Sequence, residues 1–502
     1  MKKSIAIVSV LIFVAAITGF YACKHEPYKQ PVEVYGGFPD EVGKIITTRC
    51  ATSGCHNAAS YTAAGDLRMD SWEELFNGGR HGAAVVPYSV GNSPILFYIN
   101  TDSTLGPVVK DNRMPPVDAG NALTKDEYLA IRNWIAAGAP DRNGKIAFSD
   151  NAATRQKIYV VHQGCDIAAV IDGEKKVVMR YINLSPGTPQ SSPHCIRVSM
   201  DGAFSYVSYL NAKSIQKINT VTDKVESSVV LKDNGSSSWN ILYVSPDSKE
   251  LLVSNWIENG FAAWVNAQSM IQNSPIPFTL KKPHGITSNA AGDTFFITSE
   301  PYNLIYKLVP PRNGKPAFLD TISIVDGEPP IFINSINAPQ PHEIMMTPDH
   351  SKYFITCQRS NEVRVMDAYT DKVLAVFNVA ERPQEIAMSV KQPYVFVSCM
   401  ESTKSGQYKG AVEVINYKTL QKVKTITGNF NQPHGITVDD RNNTVYVFST
   451  NVDGPAPHHP SGTGCSGNNG YYNIFDLNTL QPVNNRNYEV SVFPYSADVR
   501  FK

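Results

Sequence analysis

Charge of one sign is the first thing this sequence lacks. Lys plus Arg is 45 and Asp plus Glu is 45, a formal net charge of zero over 502 residues, which leaves no electrostatic footprint for nucleic acid or an anionic surface. No nucleic-acid partner is expected. Cysteine is scarce too: 8 residues in 502 is far below the density of a disulfide scaffold, so each cysteine needs a role read from its own spacing. What is present is a globular composition, 42% hydrophobic and 18% charged, in a chain longer than one ordinary domain of roughly 100–200 residues. Two domains, or a small domain followed by a large β architecture, are expected.

Lys2 and Lys3 precede an uncharged apolar run from Ile5 to Ala22, the basic and hydrophobic regions of an export signal. Residues 1–22 are read as a signal peptide. Ala22-Cys23 resembles a bacterial lipoprotein cleavage site, which implies a lipid on Cys23, although Phe20 stands where that pattern has an aliphatic residue. The alternative is an uncleaved span, because the run approaches the ~20 residues that cross a bilayer. Both readings place the rest of the chain outside the cytoplasm, anchored at a bacterial membrane in the periplasm or at the outer membrane. Residues 23–35, polar and proline-containing, form the tether.

From Pro39, PDEVGKIITTRC sets Val42, Ile45 and Ile46 at helical spacing and runs into Cys50-Ala-Thr-Ser-Gly-Cys55-His56. A covalent c-type haem needs two thiols for the porphyrin vinyl groups and an adjacent imidazole for iron, normally as Cys-x-x-Cys-His. Here four residues separate the thiols, so half of a zinc site is the competing reading. No second Cys/His pair follows within the next hundred residues to complete it. The continuation through LRMDSWEELFNGGRHG, Arg113-Met114-Pro115-Pro116 and TKDEYLAIRNWIAAGAP resembles the small cytochrome c domains fused to other modules in bacterial exported proteins. The resemblance covers about residues 36–145. It implies one covalent haem c on Cys50 and Cys55, with His56 and Met114 as iron ligands. A thioether ligand raises the reduction potential. Met114 as a core residue beside a proline turn and His81 as distal ligand remain the alternatives. The last segment reads as a helix with a Thr124–Glu127 capping box, an apolar face of Leu129, Ile131, Trp134 and Ile135, and a stop at Gly138 and Pro140. In cytochromes of this kind such a helix packs across the one that delivers the first haem cysteine.

Beyond residues 141–154 the pattern changes to short β runs that repeat. PHCIRVSMDGAFSYVSY, SWNILYVSPDSKELLVSNW, PHGITSNAAGDTFFITSE, PHEIMMTPDHSKYFITCQ, PQEIAMSVKQPYVFVSCM and PHGITVDDRNNTVYVFST each hold two strands around a polar turn. Further strands follow in each copy. Four strands per 42–58 residues fits propeller blades and excludes a helical solenoid. The repeats resemble YVTN-type propellers over residues 155–502. Lys157 to Asn183 supplies strands two to four of a blade lacking its first, and the run from Pro494 to Phe501 looks like a first strand alone. Pairing them closes a seventh blade and removes the exposed edges. The fold class is therefore a small all-α cytochrome c domain followed by an all-β seven-bladed propeller.

Residues opening the first strands, and loops following the second, share one rim. The openers are Tyr495, His194, Trp239, His284, His342, Gln384 and His434; the loops add His162, His458 and His459, while His350 goes to the other end. Imidazole suits copper, iron or zinc, so His162, His194, His284, His342, His434, His458 and His459 are candidate ligands of a second metal. A substrate pocket using His as acid or base, and plain hydrogen bonding between blades, are the alternatives. Cys165 and Cys465 fall in neighbouring blades and can form a seam disulfide. Cys195, Cys357 and Cys399 fit buried strand positions. The function expected first is electron transfer to a redox partner protein by a tethered haem domain. An oxidoreductase working at the propeller mouth and a non-redox binding protein follow as alternatives.

Overall fold

The computed structural model describes residues 35–502 apart from residues 107, 109–111, 120, 121, 188, 189, 233–237, 274, 275, 403–408, 453–464 and 466. The expected signal peptide, Cys23, His458 and His459 lie outside the described residues.

Helices Asp40–Arg49, Trp72–Leu75, Ile95–Ile99 and Lys125–Ala136 come first. The first and last pack on each other, because Val42, Ile45 and Ile46 on one and Ile131, Trp134 and Ile135 on the other are buried. Tyr128, rather than the expected Leu129, completes the buried face of the last helix. Its start is the expected capping box: Glu127 N donates to Thr124 Oγ1 (3.2 Å) and Thr124 N donates to Glu127 Oε2 (2.8 Å). Glu127 also accepts from Arg49 Nε and Nη2 (3.0 and 2.9 Å), which ties the two helices together beside Cys50. At the other end Gly138 has φ +101°, and a Cβ there would lie 2.5 Å from the Tyr88 ring, so only glycine fits.

From Lys157 onward the described residues form strands, turns and loops. Among the described residues the sheets are five of four strands and one of eight, the latter being two four-stranded units joined where Tyr209 pairs with Trp239. The inner strands touch in a closed cycle: Pro494–Val499, Pro193–Val198, Trp239–Val244, Pro283–Ser288, Pro341–Met346, Pro383–Met388, Pro433–Asp439, then Pro494–Val499 again. The C-terminal strand Pro494–Val499 pairs antiparallel with Lys157–His162, so the last segment of the chain completes the first sheet. A disulfide between Cys165 and Cys465 joins the first and last parts of this ring, with 5.2 Å between the Cα atoms.

The helical part sits against the first and last sheets. Glu489 N donates to His81 O (3.0 Å), Lys175 Nζ to Asn77 Oδ1 (2.8 Å) and Arg180 Nη2 to Ala147 O (2.8 Å). One apolar cluster runs from Trp72, Ile131 and Trp134 to Val177, Val178, Tyr488 and Val490, so burial across the junction adds to these hydrogen bonds.

Candidate functional site

The Asp40–Arg49 helix ends in Cys50, whose N–H donates to Ile46 O (2.9 Å). The next six residues form a compact loop: Cys55 N donates to Thr52 O (3.0 Å), and His56 N returns to Cys50 O (3.1 Å). Gly54 supplies the positive φ of +80° that the turn needs. His56 Nδ1 donates to the Leu67 carbonyl (3.0 Å). Because a carbonyl can only accept, the proton is fixed on Nδ1 and the lone pair on Nε2. Burial lowers the His56 pKa, which favours the neutral imidazole that a metal requires. Burial pushes the Cys50 thiol up to about 12, with Cys55 adding to the rise.

Cys50, Cys55, His56 and Met114 all line one cavity of about 470 Å³, with Leu67, Met69, Ile95 and Ile99 among its apolar walls. Met114 reaches it from the loop after Ile95–Ile99, where Met114 N donates to Tyr98 O (2.9 Å). The residues fit a covalently held haem: two thiols, an imidazole with a directed lone pair and a thioether face one mostly apolar space. His81 lines the same cavity, and its carbonyl is taken by Glu489 N.

The second cluster sits inside the ring, where the cyclic order of the inner strands alone would spread side chains around a circumference. They meet instead: ring centres are 6.0 Å apart for His194 and His284, 4.0 Å for His284 and His342, and 6.2 Å for His342 and His434. Tyr495 lies between the ends of this chain, 4.4 Å from His194 and 3.6 Å from His434. Two expectations change. Trp239 pairs with Asn255 as Pro283 pairs with Ser299, so it takes the proline position and Asn240 the rim position. A one-residue offset moves a strand side chain to the opposite face. His162 stands apart from the cluster: it is fully buried, 6.1 Å from the Tyr181 ring, and burial holds its pKa down to about 3. Its neighbour Gln163 is the residue that reaches His194, through Nδ1.

Sequence reasoning missed the charged partners of this cluster. Glu343 and Glu385 follow the rim residues His342 and Gln384, and Glu300 comes directly after Phe295–Ser299, the second strand of the Pro283 sheet; their exposures are only 4%, 3% and 6%. Glu343 Oε1 lies 3.4 Å from His284 Nδ1, and Glu300 Oε1 lies 3.8 Å from His342 Nε2. Trp256 Nε1 donates to Glu300 Oε2 (2.9 Å), and Arg197 Nη2 lies 3.4 Å from Glu385 Oε2. Burial works against a charged His284, yet the Glu300 and Glu343 carboxylates outweigh it and raise its pKa. His194 and His342 are driven well down by burial and by the neighbouring imidazoles. For Glu343 and Glu385 the signal was present in the strings PHEIMM and PQEIAM, where a carboxylate stands between the rim residue and the apolar remainder of an inner strand.

Residues 53–118 match a family described as Planctomycete cytochrome C, so this part of the chain is a cytochrome c domain and implies haem c. No curated protein matches the chain. Among solved structures it is similar to Kuenenia stuttgartiensis hydrazine synthase, at 16% identity and TM-score 0.47 over 61% of this chain and 89% of that one. It is also similar to a protein of unknown function from Desulfotomaculum acetoxidans, at 14% identity and TM-score 0.49 over 67% and 99% of the two chains. A third is the dihydro-heme d1 dehydrogenase NirN in complex with DHE, at 11% identity and TM-score 0.45 over 91% and 98%.

Proposed function

We propose that this is an extracytoplasmic c-type haem electron-transfer protein, tethered to a bacterial membrane by lipid on Cys23, whose ring of sheets is a seven-bladed propeller of the YVTN type that meets a redox partner protein. Its parts are a signal peptide (1–22), a tether (23–35), a haem domain (36–145) and the propeller (155–502). The observation that carries the proposal is the convergence of Cys50, Cys55, His56 and Met114 on one cavity of about 470 Å³. A haem c bound there supplies reversible one-electron exchange.

Cys50 and Cys55 would hold the group through thioether bonds, and His56 Nε2 and Met114 would be its iron ligands. The Leu67 carbonyl keeps the imidazole oriented through Nδ1. Leu67, Met69, Ile95 and Ile99 exclude water from the cavity wall, and a low local dielectric strengthens every electrostatic effect inside. The Gly79–Gly82 turn both lines the cavity and docks on the Tyr488–Val492 strand through His81 O. A partner seated on that part of the ring would therefore stand next to the cavity. With a net charge of zero, partner choice rests on shape and short-range contacts more than on long-range steering, and nucleic acid is not a partner.

The test is the spectrum of the reduced, acid-extracted protein from a host that matures c-type cytochromes. A covalent low-spin band is expected in the wild type, with covalent attachment through one thiol at most in Cys55→Ser. Haem that extracts freely from the wild type, or no haem, overturns the proposal. Cys23→Ala should release the chain from the membrane fraction. An oxidoreductase reading is favoured by one observation, the buried imidazole and carboxylate cluster inside the ring, and would need turnover that fails when those residues are replaced.

A further inference from the structure

Among the described residues, His284, His342 and Glu343 each offer a ligand atom within 4.8 Å of the others, and all three are buried. They come from two neighbouring inner strands, Pro283–Ser288 and Pro341–Met346. Gly285 makes their approach close: a Cβ there would lie 2.7 Å from the His342 carbonyl oxygen and 2.8 Å from Glu343 Cα. His284 Nδ1 lies 3.2 Å from that carbonyl and 3.4 Å from Glu343 Oε1.

We propose that His284, His342 and Glu343 hold a divalent first-row transition-metal ion inside the ring. Three observations beyond proximity support the assignment. The first is weak or unmet bonding: Glu343 Oε1 meets His284 Nδ1 only at a long 3.4 Å, and His194 Nε2 and His434 Nε2 beside the set are buried without a hydrogen-bond partner. Buried polar atoms are ordinarily satisfied, and several orphans in one place ask for a ligand. The second is charge. The carboxyl groups of Glu300, Glu343 and Glu385 are all buried beside the imidazoles, and the cations nearest them are the partly buried Arg197, the half-buried Lys282 at the edge and His284 once protonated, a charge that His284 gives up as a metal ligand. Buried carboxylates without matching positive charge are costly, and a divalent ion supplies it. The third is ligand type, since two imidazoles and one carboxylate with coordination positions left open form a set that zinc and iron(II) both accept.

Bonds of about 2.0–2.2 Å to a tetrahedral ion put ligand atoms roughly 3.4 Å apart. The observed spread of up to 4.8 Å therefore requires the side chains to close by up to about 1.4 Å. Glu300, near His342 Nε2, is placed as an outer partner that orients the imidazole. Metal and proton compete for the same groups, so affinity should fall as pH falls.

The experiment uses the full haem-loaded chain, stripped with a chelator, then given zinc(II) with a weak competing chelator, desalted and assayed by elemental analysis. One zinc per chain beyond the haem iron is expected, with a thermal transition that rises with zinc concentration. Glu343→Gln, which keeps the shape of the side chain, and His342→Ala should each weaken zinc binding at least tenfold, while His350→Ala leaves it unchanged. No zinc retained by the wild type overturns the proposal even if a variant fails to fold. Full retention by a folded His284→Ala/His342→Ala chain overturns it as well, and directs the search to His458 and His459. The haem band is read in the same samples, so failure here is distinct from failure of the electron-transfer proposal.

Discussion

Replacing Arg197 with methionine removes the guanidinium that faces the buried carboxylates of the ring. Arg197 Nη2 is 3.4 Å from Glu385 Oε2, and Nη1 donates to Ser496 Oγ (2.8 Å) and Ile196 O (2.9 Å). At an effective dielectric constant of about 20, a pair at this distance gains about 5 kcal/mol of Coulomb energy before desolvation. Breaking one side of a buried pair costs about 3–5 kcal/mol, a large share of the roughly 5–15 kcal/mol by which a domain is stable. The pH dependence fixes the mechanism. Burial, opposed by Arg197 and His284 and reinforced by Glu343, leaves the Glu385 carboxyl pushed up to about 7. A carboxyl whose folded pKa exceeds its unfolded value near 4.3 contributes stability that is present below 4.3 and lost as pH rises through the folded value. Without Arg197 the folded pKa climbs further, so the deficit of Arg197→Met should be small at pH 5 and largest at pH 8. Urea unfolding of the full chain with chelator present, at both pH values, measures it. Arg197→Met/Glu385→Gln should recover most of the loss at pH 8. A single variant as stable as the wild type at pH 8, or a deficit equal at both pH values, refutes the reasoning.

Other outcomes follow from the same geometry. Glu127→Ala removes the capping box and the Arg49 pair together, so hydrogen exchange in Lys125–Ala136 should accelerate about 5- to 30-fold, equivalent to about 1–2 kcal/mol; unchanged protection would refute it. Met114→Ala should lower the reduction potential measured by potentiometric titration while His81→Ala leaves it in place, and the reverse pattern would make His81 the ligand. Cys165→Ser should cost about 2–4 kcal/mol in denaturant unfolding, because the bridge closes a loop of sequence separation 300; a reductant that leaves wild-type stability untouched would refute it. Gly285→Ala should destabilise by about 1–3 kcal/mol, since its Cβ would collide with the His342 carbonyl, and should weaken zinc retention with it.

Much of the helical part was legible because its signals are local. The Thr124–Glu127 box, the apolar stripe ending in Trp134 and Ile135, and the Gly138 stop all lie within one helix length, where the 3.6-residue period and the cap chemistry decide the outcome. Tyr128 in place of Leu129 is a small departure: which of two adjacent residues turns inward depends on what the opposing helix offers. The Cys50–His56 spacing and the Met114 loop were readable as a set, and they do line one cavity. The β repeat was readable for a similar reason, since each pair of strands with its turn recurs as a unit and the unmatched ends at Lys157 and Pro494 complement each other.

Taken alone, the sequence determined the elements and their order from local periodicity, and its unmatched strands pointed to a ring closed by Pro494–Val499; the resemblance to small cytochrome c domains, added to the Cys50–His56 spacing, implied the residues proposed to hold the haem. Only the tertiary structure decided which side chains share the centre of the ring. It moved the rim position from Trp239 to Asn240, kept His162 away beside Tyr181, and brought Glu300, Glu343, Glu385 and Arg197 to the histidines from separate sheets. The physical reason is that a strand side chain changes face with each residue, and contact across a ring depends on the summed packing of every sheet in it. Neither quantity is written in any single segment of the chain.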